Sequence, residues 1–223
     1  MNLRLAKLNV NNPKQCNLNA KTLVKHDFYE KCMLKHPLRS HFTSRFALLY
    51  AALLESKNSV LSYVPRPYKI AYQKTFYYPD VHVTTKKTRF VVDIVPASLS
   101  GNVKSAGPSI EEKNAFFSAV DISYKVITTK EIINKQIKAE SWLDIVQRLY
   151  LARPIDTDFE YKTILTLCGY GKTNTTLYKI LEDASELDIY RAEIALLRLV
   201  FDGRLKIDVS KHSFNHHTKV SAK

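Results

Sequence analysis

The sequence predicts an α/β core over residues 40–153 and a separate helical module over residues 154–223. Three observations predict it: one apolar helical stripe, a block of β-rich segments, and a change of pattern after an acidic stretch. The stripe lies in SHFTSRFALLYAALLES (Ser40–Ser56), where Phe42, Phe46, Leu49, Leu53 and Leu54 recur at helical spacing. The β block follows as VLSYVP (Val60–Pro65), YKIAYQKTFYY (Tyr68–Tyr78), VHVTT (Val81–Thr85) and RFVVDIV (Arg89–Val95). These segments are rich in Val, Ile, Tyr, Phe and Thr, the residues that fit a pleated surface. TKK (Thr85–Lys87) supplies a polar hairpin turn. RFVVDIV is almost continuously apolar, as a strand buried on both faces is.

A loop with Gly101, Gly107 and Pro108 comes next. Ser109 and Glu112 form a capping-box pattern for a helix ending near Val120. YKVITT (Tyr124–Thr129) reads as a strand, with Thr129 capping a helix from Lys130 to about Leu151. Pro154 and DTDFE (Asp156–Glu160) mark the boundary. Beyond it, TILTLCGYG, NTTLYKILEDA and YRAEIALLRLVFDG read as helices and RLKIDVS (Arg204–Ser210) as a strand. Three short helices and a strand resemble a winged-helix module. Residues 1–39 read as a basic arm or helical segment, of which residues 1–20 are polar and Asn-rich, and the last dozen residues, with His212, His216 and His217, as a frayed end.

Composition narrows the function. With 45% hydrophobic and 25% charged residues, the chain is not too polar to bury a core. No apolar run is long enough to span a membrane, and the N-terminus lacks the apolar stretch of a signal peptide. Cys16, Cys32 and Cys168 form no CxxC pair, which predicts a reduced, cytoplasmic setting without disulfides or zinc. The net charge is +13, and it is lopsided: residues 1–100 carry 16 basic and 5 acidic side chains, residues 101–223 carry 18 and 16. A basic first half implies a polyanionic partner, most simply nucleic acid, against the plainer reading of a solvated basic surface.

GYGKT (Gly169–Thr173) is not a phosphate loop. Thr166 stands where that motif needs its first glycine, and the stretch follows a helix rather than a strand. Asp80 and Asp93 are more informative. Asp80 starts a strand in YYPDVHV, and Asp93 lies inside an apolar strand, where a carboxylate is costly unless neutralised. Two aspartates on adjacent strands, with the carbonyl of Ile94, would make a minimal site for Mg2+ or Mn2+. The alternative is that Asp93 pairs with a buried Lys or Arg.

At these residues the chain resembles the PD-(D/E)xK nucleases, which have the restriction-endonuclease-like fold. Pro79-Asp80 supplies the first part of that pattern and Asp93-Ile94-Val95 the second. More specifically, the chain resembles TnsA, the endonuclease subunit of heteromeric transposases. SYVPRPYKIAY (Ser62–Tyr72), with Arg66 where Gln is usual, YKVITTKEI (Tyr124–Ile132) and SWLDIVQRLY (Ser141–Tyr150) carry that resemblance over roughly residues 40–150. It implies a mixed-sheet core with helices on both faces. It further implies binding to double-stranded transposon-end DNA, a DDE-type transposase and an AAA+ regulator.

The departures bear on mechanism. The metal-binding Glu of the family's first helix falls on Ala47, with Glu55 two turns on, and its motif Lys falls on Val95. Lys113, on the following helix, is the candidate replacement. Two readings follow from the resemblance. In one, Asp80, Asp93 and Lys113 form an active magnesium-dependent nuclease that cuts the 5′ strands at transposon ends. In the other, the site is degenerate and the protein serves assembly. A third reading is a DNA-binding protein of unrelated role.

Overall fold

A computed structural model describes residues 10, 12–17, 27–97, 107–169 and 175–222. Most of the N-terminal arm, Gly101 with its loop, and residues 170–174 of the GYGKT stretch lie outside the described residues. The chain forms two compact units: Met1–Leu54 with Ser59–Asn134, and Glu55–Asn58 with Lys135–Lys223.

The first unit opens with the antiparallel pair β1 (Tyr29–Cys32) and β2 (Arg39–Phe42). Helix α1 (Arg45–Glu55) follows, its start fixed by Ser44, whose Oγ accepts from the Ala47 N–H at 3.1 Å. Residues Leu48 to Leu54 are all buried, so this helix is enclosed rather than amphipathic. The expected helix from Ser40 therefore begins later, because residues 39–42 pair with β1 instead.

The central sheet has four strands in the order β3 (Val60–Pro65), β6 (Val81–Thr85), β7 (Arg89–Val95), β8 (Ser123–Thr128). The first two pairings are antiparallel and β7–β8 is parallel, so the sheet is mixed. The parallel step needs a crossover, and it carries α2 (Ile110–Ser118). Its capping box is formed as the Ser109 and Glu112 pattern predicts. β7 is buried along Phe90–Asp93, as its unbroken apolar run predicts. The single strand expected over Tyr68–Tyr78 is instead a hairpin of β4 (Ile70–Tyr72) and β5 (Thr75–Tyr77), reversed at Gln73 with φ 49°. The helix expected from Lys130 is two helices, α3 (Thr129–Ile133) and α4 (Gln136–Leu151). Thr128, not Thr129, is the cap, because its hydroxyl and Glu131 close a capping box.

In the second unit, α4 joins α5 (Asp158–Gly169), β9 (Thr175–Thr176), α6 (Leu177–Asp183), α7 (Ile189–Phe201), β10 (Leu205–Ile207) and β11 (Lys219–Ala222). Its sheet has the order β10-β11-β9, all antiparallel. The chain end is therefore not frayed: Val220 is buried and bridges Leu205–Ile207 to Thr175–Thr176. Arg198 of α7 donates to Ala152 O, Ile155 O and the Thr157 hydroxyl. Those contacts tie the end of α4 into this unit, so the division falls at Asn134/Lys135 rather than 153/154. Helix α7 ends in a Schellman-type turn, with Arg204 N–H on Leu199 O and Gly203 N–H on Val200 O. Gly203 has φ 71°, and a Cβ there would meet the Asn58 amide at 1.5 Å.

The face of the central sheet beneath α2 holds Tyr68, Val91, Phe116, Phe117 and Ile122. His82 lies opposite Val91 in the β6–β7 register, 5.9 Å from the Tyr68 ring. It is 1% exposed, and neither ring nitrogen has a hydrogen-bond partner among the described residues. Burial lowers its pKa from 6.5 to about 4, with the Arg89 charge adding to the effect. The imidazole is thus neutral when folded but takes up a proton below about 6.5 when unfolded. Folding loses stability from this group as pH falls from 6.5 to about 4, by about 3 kcal/mol in full. Urea unfolding of wild type and His82→Leu side by side should show the wild type losing stability relative to the variant as pH falls across that range.

Candidate functional site

Asp93 sits in the middle of β7, opposite Val126 of parallel β8. Side chains two apart on a strand share a face, so Asp93 points the same way as Val91, toward α2. It is 6% exposed. Lys113 of α2 donates from Nζ to Asp93 Oδ2 at 2.8 Å. The Tyr77 hydroxyl reaches Oδ1 at 2.7 Å and Oδ2 at 2.9 Å, and the Tyr124 hydroxyl reaches Oδ2 at 2.9 Å. The ammonium also lies 4.7 Å from the centre of the Tyr77 ring. Tyr124 in turn stacks on Phe117 at 5.9 Å.

Asp80 sits just before β6. Its N–H donates to Val92 O at 3.1 Å, and its own carbonyl accepts from Arg66 N–H at 2.7 Å. The residue is thereby fixed between β7 and the end of β3. Its Oδ2 accepts from Ile94 N–H at 2.6 Å. The fold therefore brings Asp80, Asp93, Ile94 and Lys113 together.

The electrostatics follow from this packing. Burial and the nearby Asp93 charge push the Asp80 pKa up to about 7, against the Ile94 N–H and the Lys113 and Arg66 charges. Burial and the Asp93 carboxylate push the Tyr77 and Tyr124 phenols far above their usual range. Both phenols are therefore fixed as protonated donors. The two tyrosines are the site residues that sequence reasoning misses. Their types read as strand formers, and no spacing rule ties Tyr77 and Tyr124 to Asp93.

Does this donor set fit a divalent cation? Mg2+ needs carboxylate oxygens with free lone pairs in near-octahedral array. Here both Asp93 oxygens accept from an ammonium and two phenols, and one Asp80 oxygen accepts from a backbone N–H. Among the described residues, no three His, Cys, Asp or Glu side chains gather into a metal-holding group. In this arrangement Lys113 supplies the positive charge that a cation would, and the residues do not fit a metal. The plainer alternative for Asp93, a buried lysine partner, is the one realised.

Three further residues that the resemblance singles out have these surroundings. Val95, on the Asp93 face of β7, is half-buried and brings no charge. Ala47 is 3% exposed and lines a cavity with Asp80. Glu55 is fully buried at the end of α1 and groups with the second unit, whereas Asp80 and Asp93 belong to the first.

No protein-family model matches this chain, and no curated protein is found to be similar to it.

In the second unit, helix-based nucleic-acid reading has little to work with. Lys179 of α6 is held by Glu182 at 2.7 Å and Asp183 at 3.3 Å, and Lys172 lies outside the described residues. On α7, Arg191 is held by Glu160 at 2.6 Å and Arg198 turns inward. Leu177 is buried in the core of this unit, whereas Tyr190 is 53% exposed. The connection between β10 and β11 is different: Lys211, His212, His216 and His217 are all exposed along it, with Lys206 and Lys219 on the strands.

Two outcomes test the site. Lys113→Met leaves a buried carboxylate without its cation and should cost about 3–5 kcal/mol in urea unfolding. Asp80 takes up its proton at higher pH folded than unfolded, so its charge costs stability at about pH 8 and the cost fades as pH falls through 7 toward 3.8. The stability gained by Asp80→Asn should therefore be larger at about pH 8 than at about pH 5.

Proposed function

We propose that this protein is a DNA-binding, TnsA-like subunit of a heteromeric transposase complex that no longer cuts DNA. The observation that carries the loss of cutting is the Asp93 carboxylate, both of whose oxygens are engaged by Lys113, Tyr77 and Tyr124. A nuclease of this class needs that carboxylate on a metal. Three further points support the reading. Asp93 stands on β7 and Asp80 immediately before the neighbouring β6 of a mixed sheet, in the order the motif has. The positions of the missing Glu and Lys hold Ala47 and Val95 beside the two aspartates. The first 100 residues carry a net +11, which favours a phosphate backbone as partner.

The second unit supports a winged-helix-like reading through three helices, α5 to α7, and the sheet order β10-β11-β9. Lys179 and Arg191 of its helices are held in ion pairs and Arg198 turns inward, so the exposed basic β10–β11 connection is the part best suited to DNA. The partners that follow from the resemblance are double-stranded transposon ends, a DDE-type transposase and an AAA+ regulator.

The deciding experiment is nicking of a transposon-end duplex with Mg2+ or Mn2+, the transposase partner present, by wild type, Asp80→Ala and Asp93→Ala. The expected result is duplex binding without cleavage in all three. Cleavage by wild type that both substitutions abolish would overturn the proposal. It would mean that Lys113 leaves Asp93 on binding and acts as the relocated lysine of a working Mg2+ nuclease.

A further inference from the structure

Arg66 joins β3 to the β4–β5 hairpin and combines three features. Its φ is 45°, in the left-handed region that favours glycine. Its guanidinium lies 4.0 Å over the Tyr78 ring. Its Nε is buried and has no hydrogen-bond partner among the described residues. A buried donor without a partner is costly and calls for one. Backbone strain of this kind persists where surrounding structure enforces it, often at ligand sites. Here the enforcing bonds are Arg66 N–H to Asp80 O at 2.7 Å and Cys16 N–H to Arg66 O at 2.9 Å.

The residue lines a cavity of about 310 Å³ together with His41, Thr43, Ala47, Tyr78 and Asp80. A guanidinium held over an aromatic ring loses little freedom on binding, and its planar fork matches the oxygens of a phosphate. The acidic member of the cavity is partly disarmed: Asp80 turns one oxygen to the Ile94 N–H, and its neutral form is favoured by burial. Lys69, Lys74, Lys86 and Lys87 of the same unit are exposed and unmatched in number by acids, which favours a polyanion over an acidic side chain.

We infer that Arg66 and this cavity form a subsite for one phosphate group of a nucleic-acid strand, with the Arg66 guanidinium as its donor group. The subsite rests on the DNA-binding reading and names the residue that grips the backbone beside Asp80. Tyr78 and the Asp80 carbonyl act as positioning groups.

The test uses the full chain and two substitutions. Arg66→Gly removes the guanidinium while accommodating φ 45° without strain, and Arg66→Lys keeps the charge without the fork. Duplex binding is followed by fluorescence anisotropy over a salt series. Arg66→Gly should fold, lose about tenfold or more in affinity, and lower the salt slope by about one. Arg66→Lys should keep the slope and recover only part of the affinity. In parallel, the Arg66 Nε–Hε NMR resonance of the wild type is titrated with inorganic phosphate, with a 5′-phosphorylated dinucleotide, and with acetate. A shift with both phosphates and not with acetate is expected. A larger shift with the dinucleotide than with inorganic phosphate assigns the source to a strand.

An unmoved resonance with duplex affinity unchanged in Arg66→Gly would overturn the subsite and leave the DNA-binding reading standing. A resonance that shifts with the dinucleotide in a protein that binds no duplex would overturn that reading and leave a single-strand phosphate site. A shift with acetate alone would overturn the subsite in favour of a carboxylate partner.

Discussion

A charged carboxylate inside an apolar strand is expensive, and at Asp93 the cost is met by three donors drawn from separate parts of the chain. Lys113 arrives on the crossover helix, Tyr77 on the hairpin strand β5, and Tyr124 on the parallel neighbour β8. Each element packs where it does partly because its side chain reaches that carboxylate. The crossover helix is further fixed by Phe116 and Phe117 against Val91, so the ion pair and the apolar core share one helix. Removing any one donor would leave the others facing an unbalanced buried group, which is why such networks act as a unit.

Asp80 is the counterpart that is not fully neutralised. Its backbone continues the sheet on both sides, through Val92 and Arg66, so its side chain is held near Asp93 whatever that costs. The cost is visible as a carboxyl whose pKa rises to about 7. Two close carboxylates thus meet different fates: one is satisfied by a lysine and two phenols, and the other keeps a single backbone N–H and a raised pKa. The adjacent cavity, with Ala47 at one wall and Arg66 at another, keeps space for a ligand of different chemistry.

Local patterns made much of this legible. The apolar run RFVVDIV is a buried strand, Ser109 and Glu112 do form a capping box, and the pairing of Asp80 with Asp93 on adjacent strands follows the order of the segments. Misreadings came where tertiary pairing overrode a local pattern. Residues 40–42 look helical but pair with β1. Tyr68–Tyr78 has the composition of one strand but reverses at Gln73. The histidine-rich end looks loose but closes a sheet through Val220.

The sequence by itself determined the α/β character, the basic first half, and the residue types available to the site: two aspartates and a helix lysine. These are properties of composition, periodicity and order, which need no partner to be read. Only the tertiary structure decided that Lys113 sits on Asp93 rather than in solvent, that two tyrosines from different elements saturate the same carboxylate, and that Arg66 is held strained with an unmet donor. Those facts depend on distances between segments far apart in the chain, and on burial, which sets the energy of a charge only once its surroundings are in place.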